Sequence, residues 1–294
     1  MAKTTPQPDT QYRQLLQSIL DRGVRVKSQQ EVDALTLMAP APLRFRLSEG
    51  FPVVTERRIS EKMWRGAIGE IFGFINGART QEDLEKFGCK WWESWVSEKK
   101  CAKRGLETGD LGPGSYGAAF HDFPTAEGEP FNQFEAIIQQ IKEQPQLRTH
   151  FITPWIPQYT PRLKGKTQKV VVCPCHGWIH IRILNNKLYL HMFQRSSDTP
   201  VGLPANLAQY AALAMAIGEV TGYEPYEYIH SFSDAHIFVD QIDKVKELLA
   251  REPIALPTMK LLNKKKNLFD YRAEDFELSD YNPHKGMWDI PVAI

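Results

Sequence analysis

The sequence predicts an α+β protein in one domain, residues 1–294, and three observations predict it. Helical and strand-like periodicities are interspersed without the strict β-α-β-α rhythm of a parallel sheet. No Pro/Gly/Ser-rich linker, low-complexity stretch or internal repeat divides the 294 residues. The balance of 42% hydrophobic against 24% charged residues is that of a chain with a sizeable core. Lys+Arg 36 against Asp+Glu 35 leaves a charge of +1, so no global field recruits nucleic acid or an acidic membrane, and an anionic ligand must be met locally. No apolar run approaches the roughly 18–20 residues that span a bilayer. MAKTTPQPDTQ lacks the apolar core of a signal peptide, and four cysteines do not make a disulfide scaffold. The expectation is a protein of the reducing cytoplasm.

Each element follows from local pattern. Tyr12, Leu15, Leu16, Ile19 and Leu20 recur at helical spacing before Gly23, predicting an opening helix that stops there. VRVKSQQEVDAL has no period that assigns it. Alternation between Leu43 and Val54, with the turn-like SEG, predicts strands. Ser60 then caps an apolar helix through Met63, Trp64, Ile68, Ile71, Phe72 and Ile75, which Gly77 ends. Thr80 with Asp83 opens a short helix, Phe134, Ile137, Ile138 and Ile141 mark another, and RTHFIT reads as a strand. VVVC, GWIHIRIL and LYLHMF are β-like, the last two turned back on each other by Asn185-Asn186. From Pro204 to Gly222, Leu207, Tyr210, Leu213, Ile217 and interspersed alanines predict a centrally buried helix. YEYIHSF, a helix near 237–249 and a MKLL strand follow.

The richest chemistry is CPCHG, Cys173 to Gly177, where a thiol beside an imidazole near a strand end suits a nucleophile. A free cysteine is also commonly a small buried hydrophobe. Metal is not expected, because Cys89 and Cys101 are the only other thiols and the spacing is not that of a zinc site. His176 and His180 lie four apart in strand-like sequence without the glutamate of a zincin. Gly165-Lys166-Thr167 is preceded by Thr160 where a phosphate loop needs glycine, and Lys264-Lys265-Lys266 reads as a solvated turn. Gln194-Arg195-Ser196-Ser197-Asp198, followed by Gly202 to Asn206 at a helix start, is an anion-and-amide recognition kit. Arginine offers forked donors for phosphate, and an amide donates and accepts at once, as the imide edge of uracil requires. Either element alone is explained by a salt bridge or a helix cap.

Together these segments resemble the thymidylate synthase family over nearly the whole chain: GFPVVTERR, GEIFGFINGA, DLGPGSYG, the PCH site, FQRSSDTPVGLPANLAQYA, IHSFSDAHIF, REPIALP, FDYRAEDFELSDYNPHKG and the terminal PVAI. The resemblance implies a large twisted mixed β-sheet with flanking helices, paired sheet to sheet in a homodimer. It implies 5,10-methylenetetrahydrofolate as co-substrate and a pyrimidine nucleotide, dUMP first, as acceptor. Cys175 becomes the thiolate that adds to C6, with His176 supporting that region. Arg195 and Ser196 bind nucleotide phosphate, and Arg195 favours the thiolate. Asn206 reads the uracil edge and His236 the sugar. Glu70 orders water for proton transfers, with Tyr116 assisting removal of the C5 proton. Asp198 meets the pterin, Trp92 and Trp95 pack on folate, and Ile294 closes the site. Arg148 reaches the phosphate of the partner subunit's nucleotide.

The implied reaction turns dUMP into dTMP and dihydrofolate, with folate hydride completing the methyl group. Two alternatives stand beside it. One is a pyrimidine-nucleotide 5-hydroxymethylase acting on dUMP, dCMP or CMP, in which water replaces hydride. The other is a non-catalytic nucleotide- or RNA-binding descendant. The chain departs from the family at the phosphate. Gln29-Gln30-Glu31-Val32 stands where the family has Asp-Arg-Thr-Gly, paired arginines become Arg148-Thr149, and the tyrosine two after the sugar histidine becomes Phe238. Charge-assisted arginine contacts are worth about 1.5–3 kcal/mol each. The sequence therefore predicts a substitute cation from the rearranged loop, Lys27 foremost, with Arg25 or Arg22 as others.

Overall fold

Asn185 and Asn186 both take positive φ, 50° and 60°, the left-handed pair that closes a two-residue hairpin. They join two neighbouring antiparallel strands of the main sheet. The computed structural model describes residues 8–287 and 289–293. Its elements are α1 (Gln11–Arg22), β1 (Val24–Val26), β2 (Ala34–Met38), β3 (Leu43–Arg46), α2 (Glu61–Ile75), α3 (Gln81–Lys86), α4 (Glu98–Ala102) and α5 (Tyr116–His121). There follow α6 (Gln133–Glu143), β4 (Phe151–Ile152), β5 (Trp178–Leu184), β6 (Lys187–Asp198), α7 (Gly202–Thr221), β7 (Glu224–Phe238), α8 (Ile242–Leu249), β8 (Thr258–Leu261) and β9 (Phe276–Ser279).

Seven strands form one sheet in the order β1-β2-β7-β6-β5-β4, with β3 pairing β7 beyond the end of β2. β6 and β7 run parallel while the other pairs are antiparallel, so the sheet is mixed and the class is α+β. β8 and β9 pair separately. One irregularity interrupts the parallel pair: Leu188 faces Pro225 but Tyr189 faces Glu227, leaving Tyr226 as an extra residue in β7.

The core sits where α7 lies on β6 and β7 with α2 across it. Of α7's 20 residues, 15 are buried, so the helix is apolar all round because it meets protein all round. Ser60 accepts the Met63 N–H and starts α2. Ile68, Ile71, Phe72 and Phe74 of that helix are fully enclosed, each worth roughly 1.5–3 kcal/mol of apolar burial. At Gly69 the helix meets the chain after α3 so closely that an added Cβ would lie 1.8 Å from the Phe87 carbonyl oxygen. That approach brings the 89–92 segment over the next residue, Glu70.

Three local expectations fail for identifiable reasons. VVVC is not a strand, because its backbone bonds go to a neighbouring loop: the Val170 carbonyl accepts from Arg104 Nε and Val171 N–H donates to Leu111. Between Leu43 and Val54 only Leu43–Arg46 is strand, since Phe51 N–H turns away to the Pro257 carbonyl. The helix expected from 237 starts at Ile242, because β7 runs through Phe238, whose N–H donates to Gln241. The unassigned VRVKSQQEVDAL supplies β1 and the start of β2. Among the described residues no helix is long and apolar enough to cross a membrane.

Candidate active site

The carboxyl ends of β6 and β7 and the first turn of α7 open into a cavity of about 980 Å³. Cys175, Arg195, Ser196, Asp198 and His236 all face it. The parallel register sets this grouping, with Ser196 opposite Asp234 and Asp198 opposite His236.

Cys175 is held from two sides. Its N–H donates to the Tyr116 hydroxyl at 2.6 Å, and its carbonyl accepts from Arg195 N–H at 2.7 Å. The Arg195 guanidinium donates to the carbonyls of Pro174 and Cys173, both at 2.8 Å, and its Nη2 stands 3.4 Å from Cys175 Sγ. Burial pushes the thiol pKa up and the Arg195 charge pulls against it. Burial thus favours the protonated thiol, with the Arg195 cation already beside it. Tyr116 is stacked between Phe74 (4.7 Å) and His176 (4.6 Å), so the phenol cannot drift from the nucleophile loop. His176 is not a base for the thiol. Its Nδ1 bonds the Tyr210 hydroxyl at 2.7 Å, and burial pulls its pKa down to about 3, so the ring is neutral.

Behind the cavity wall a buried polar chain runs in one direction. Tyr228 hydroxyl meets His230 Nδ1 at 2.7 Å, and His230 Nε2 meets Gln194 Oε1 at 2.7 Å. Gln194 Nε2 donates to Asn206 Oδ1 at 3.1 Å, Asn206 Nδ2 to Gln209 Oε1 at 2.9 Å, and Gln209 Nε2 to Glu70 Oε2. Glu70 Oε1 accepts from Trp91 Nε1 at 2.7 Å and from Trp92 Nε1. Indole nitrogens only donate and an ionised carboxylate only accepts, so Glu70 fixes the polarity of the chain. Burial raises the Glu70 pKa, opposed by the donors from Trp92, Trp91, Gln209 and Cys89. Asn206 keeps one N–H and one lone pair for a ligand.

At the other end, Trp91 and Trp95 line the cavity, as do Val292 and Ala293. Trp92, expected on that wall with Trp95, is instead buried behind it, its ring edge-on to Phe74 at 6.0 Å and its N–H spent on Glu70. Burial pushes the Asp198 pKa up to about 6, with His236, Gln241 and Arg57 pulling it down. Gln241 Nε2 lies 3.3 Å from both Asp198 oxygens and donates to the Pro291 carbonyl at 2.9 Å. His236 Nδ1 is tied to Asp234 at 2.8 Å. Ile294 lies outside the described residues.

The structure does not bring the cation expected from the rearranged loop to the cavity. Lys27 is exposed and does not line the cavity, and Arg25 is paired with Asp33 at 2.9 Å, because β1 is an edge strand facing solvent. Gln29 and Gln30 do line it, and so do Arg162, bonded to Gln29, and Arg104. Arg148 is exposed, outside its own chain's cavity, at the end of the α6–β4 connection. Sequence reasoning gave no role to Trp91, Arg104, Arg162, Gln209 or Arg57. Gln209 carried a signal, as a polar residue inside an apolar helix. Arg104 and Arg162 sit in irregular connections with none. Among the described residues no group of three or more His, Cys, Asp or Glu side chains is placed to hold a metal.

The thymidylate synthase family model matches residues 10–294, which takes in every wall of this cavity. The chain belongs to the thymidylate synthase family, whose members are folate-dependent one-carbon transferases acting at C5 of pyrimidine nucleotides.

Proposed function

We propose that the chain, acting as one domain, converts dUMP to dTMP, with Cys175 adding to C6 of the base. The observation that carries this reading is the Cys175–Arg195 pair in the cavity, with the Asn206 amide anchored by Gln194 and Gln209 in the α7 turn whose Pro204 and Ala205 line the same cavity. A single amide offering one donor and one acceptor suits the O4 and N3–H of uracil. As the thiol loses its proton, the Arg195 cation 3.4 Å away stabilises the sulfur anion. Attack forms the S–C6 bond and moves the ring electrons toward C5 and O4. Glu70, gripped by two indoles and Gln209, is a buried carboxyl group linked through Gln209 to the Asn206 amide. It is suited to hold or pass a proton through water.

Methylenetetrahydrofolate would supply the one-carbon unit and the hydride. The donor set fits it: Trp91 and Trp95 offer aromatic faces. Asp198, titrating near neutrality, can donate to or accept from a pterin. Val292 and Ala293 add small apolar side chains to the same lining. A homodimer is supported by aromatic side chains on partly exposed strand positions, with Trp178 against Phe193 at 5.8 Å and Tyr189 against Tyr226 at 5.1 Å. Four free thiols suit a reducing compartment.

The test is product analysis with dUMP, dCMP, UMP and CMP, each offered with methylenetetrahydrofolate. The expected result is dTMP from dUMP, with one dihydrofolate per turnover. A hydroxymethyl product with tetrahydrofolate would move the protein to the hydroxymethylase reading. Unchanged nucleotides throughout would remove catalysis.

A further inference from the structure

Three guanidinium groups converge on one end of the cavity around Cys173. Arg195 spends its bonds on the Cys173 and Pro174 carbonyls. Arg104 donates to the Val170 carbonyl at 2.9 Å and the Lys100 carbonyl at 2.7 Å. Arg162 donates to Gln168 Oε1 and Gln29 Oε1, both at 3.1 Å. Every one of these acceptors is neutral. Among the described residues none of the three arginines has a carboxylate within salt-bridge distance, whereas Arg25, Arg44, Arg65, Arg79 and Arg251 each have one.

Three like charges without a counter-ion repel one another where they line the cavity, and a bound anion reverses the sign of that energy. The mutual influence is visible in the ionisations. Burial and the Arg162 charge lower the Arg104 pKa, and Arg195, Arg162 and Arg104 all pull down the Cys173 thiol that burial raises. Each guanidinium also keeps unused N–H donors. Arg104 has both Nη2 hydrogens and Arg162 has both of its own, since their recorded bonds use only Nε and Nη1. Such forks match the oxygens of a phosphate.

We propose that Arg162, supported by Arg104, is the cation that binds the nucleotide 5′-phosphate together with Arg195. It would replace the arginine missing at Gln29-Gln30. This rests on the nucleotide reading above. The charge comes from the β4–β5 connection, and Gln29, standing where the family has a charged loop, holds Arg162 in place by its side-chain carbonyl. Phosphate is favoured over a folate carboxylate because the cluster includes Arg195, whose other N–H faces the Cys175 sulfur. A nucleotide with C6 at that sulfur has its phosphate within the same arginine's reach.

The experiment measures binding of dUMP, deoxyuridine, inorganic phosphate and methylenetetrahydrofolate by calorimetry, with dUMP turnover beside it, for the wild-type protein and for Arg162→Gln, Arg162→Lys and Arg104→Gln. Arg162 is exposed, so its variants keep the fold. In Arg162→Gln, affinity for dUMP and phosphate falls by about tenfold or more, affinity for deoxyuridine is unchanged, and Arg162→Lys recovers part of the loss. Arg104→Gln gives a smaller loss of the same kind. Unchanged phosphate affinity in Arg162→Gln overturns the proposal, as does a loss confined to folate, which would assign the cluster to a carboxylate. Failure of the functional reading looks different: phosphate binding would still depend on Arg162, but no dUMP would be turned over.

Discussion

Asn206 donates its side-chain amide to Gln209 Oε1 at 2.9 Å, and this bond decides which end of Asn206 is nitrogen. Gln209 is itself oriented by Glu70, so the orientation of the Asn206 amide is set two residues away from it. The reversed orientation would present its oxygen to a 4-amino group and its N–H to a bare N3, the pattern of cytosine.

Asn206→Asp should therefore relax or reverse the preference for uracil, and Gln209→Leu should lower it about tenfold by removing the bond that orients Asn206. The measurement is the ratio of kcat/KM for dUMP to that for dCMP. Gln209→Leu also strips a donor from buried Glu70, costing about 1–3 kcal/mol, so a melting curve belongs beside the ratio. A ratio unchanged in both variants would detach specificity from the amide chain.

Cys175→Ser should lower turnover by about a thousandfold or more, while Cys173→Ser should be mild, because only Cys175 has its sulfur beside Arg195 Nη2 and its N–H on Tyr116. Single-turnover assays on both variants separate chemistry from binding. Comparable activity in Cys175→Ser would sink covalent attack.

Asp198 gives a pH dependence. Its pKa rises from 3.8 unfolded to about 6 folded, so the folded state favours the protonated acid. The contribution is full below pH 3.8 and is lost as pH rises through about 6, a swing of about 2–3 kcal/mol. Urea unfolding at pH 5 and pH 8 should show wild type losing more stability than Asp198→Asn over that interval. Folate KM should inflect near pH 6 in wild type alone. Parallel stability curves for the two proteins would contradict this.

Mixing Arg148→Ala with Cys175→Ala protomers should restore activity that each variant lacks alone, since one site of the heterodimer would keep both residues. No recovery in demonstrated heterodimers would count against a shared site.

Gly69→Ala should destabilise the protein by about 1–3 kcal/mol or more, because its Cβ would press on the Phe87 carbonyl. It should also lower turnover, by moving the segment whose indoles hold Glu70. An unperturbed melting temperature would show that the two elements separate at no cost.

The sequence was informative where one period ruled a long stretch. α2, α7 and the β5–β6 hairpin follow from Ser60, from the apolar run after Pro204 and from Asn185-Asn186. Cys175, Arg195, Ser196, Asp198 and His236 were named from motifs and meet in one cavity. What escaped depended on contacts between distant segments. Val170 and Val171 look like strand residues, but their backbone partners lie about sixty residues earlier in the chain, at Arg104 and Leu111. Trp91 and Trp92 are neighbours of one type, and only packing on Phe74 decides which faces the cavity. Lys27 was chosen for its charge near a gap, whereas Arg162 reaches Gln29 across 133 positions of sequence.

The extra residue at Tyr226 makes residue count part of the chemistry. Pro225 must stay opposite Leu188 near the hairpin turn, while His236 must stay opposite Asp198 in the cavity. The side-chain period of a strand is two, so losing one residue between those points turns one end of β7 inside out. Such a deletion would preserve composition, hydrophobicity and most hydrogen bonds, yet leave either the sheet's core face or His236 pointing the wrong way. Length variation is tolerable in the connections around this pair and intolerable within it.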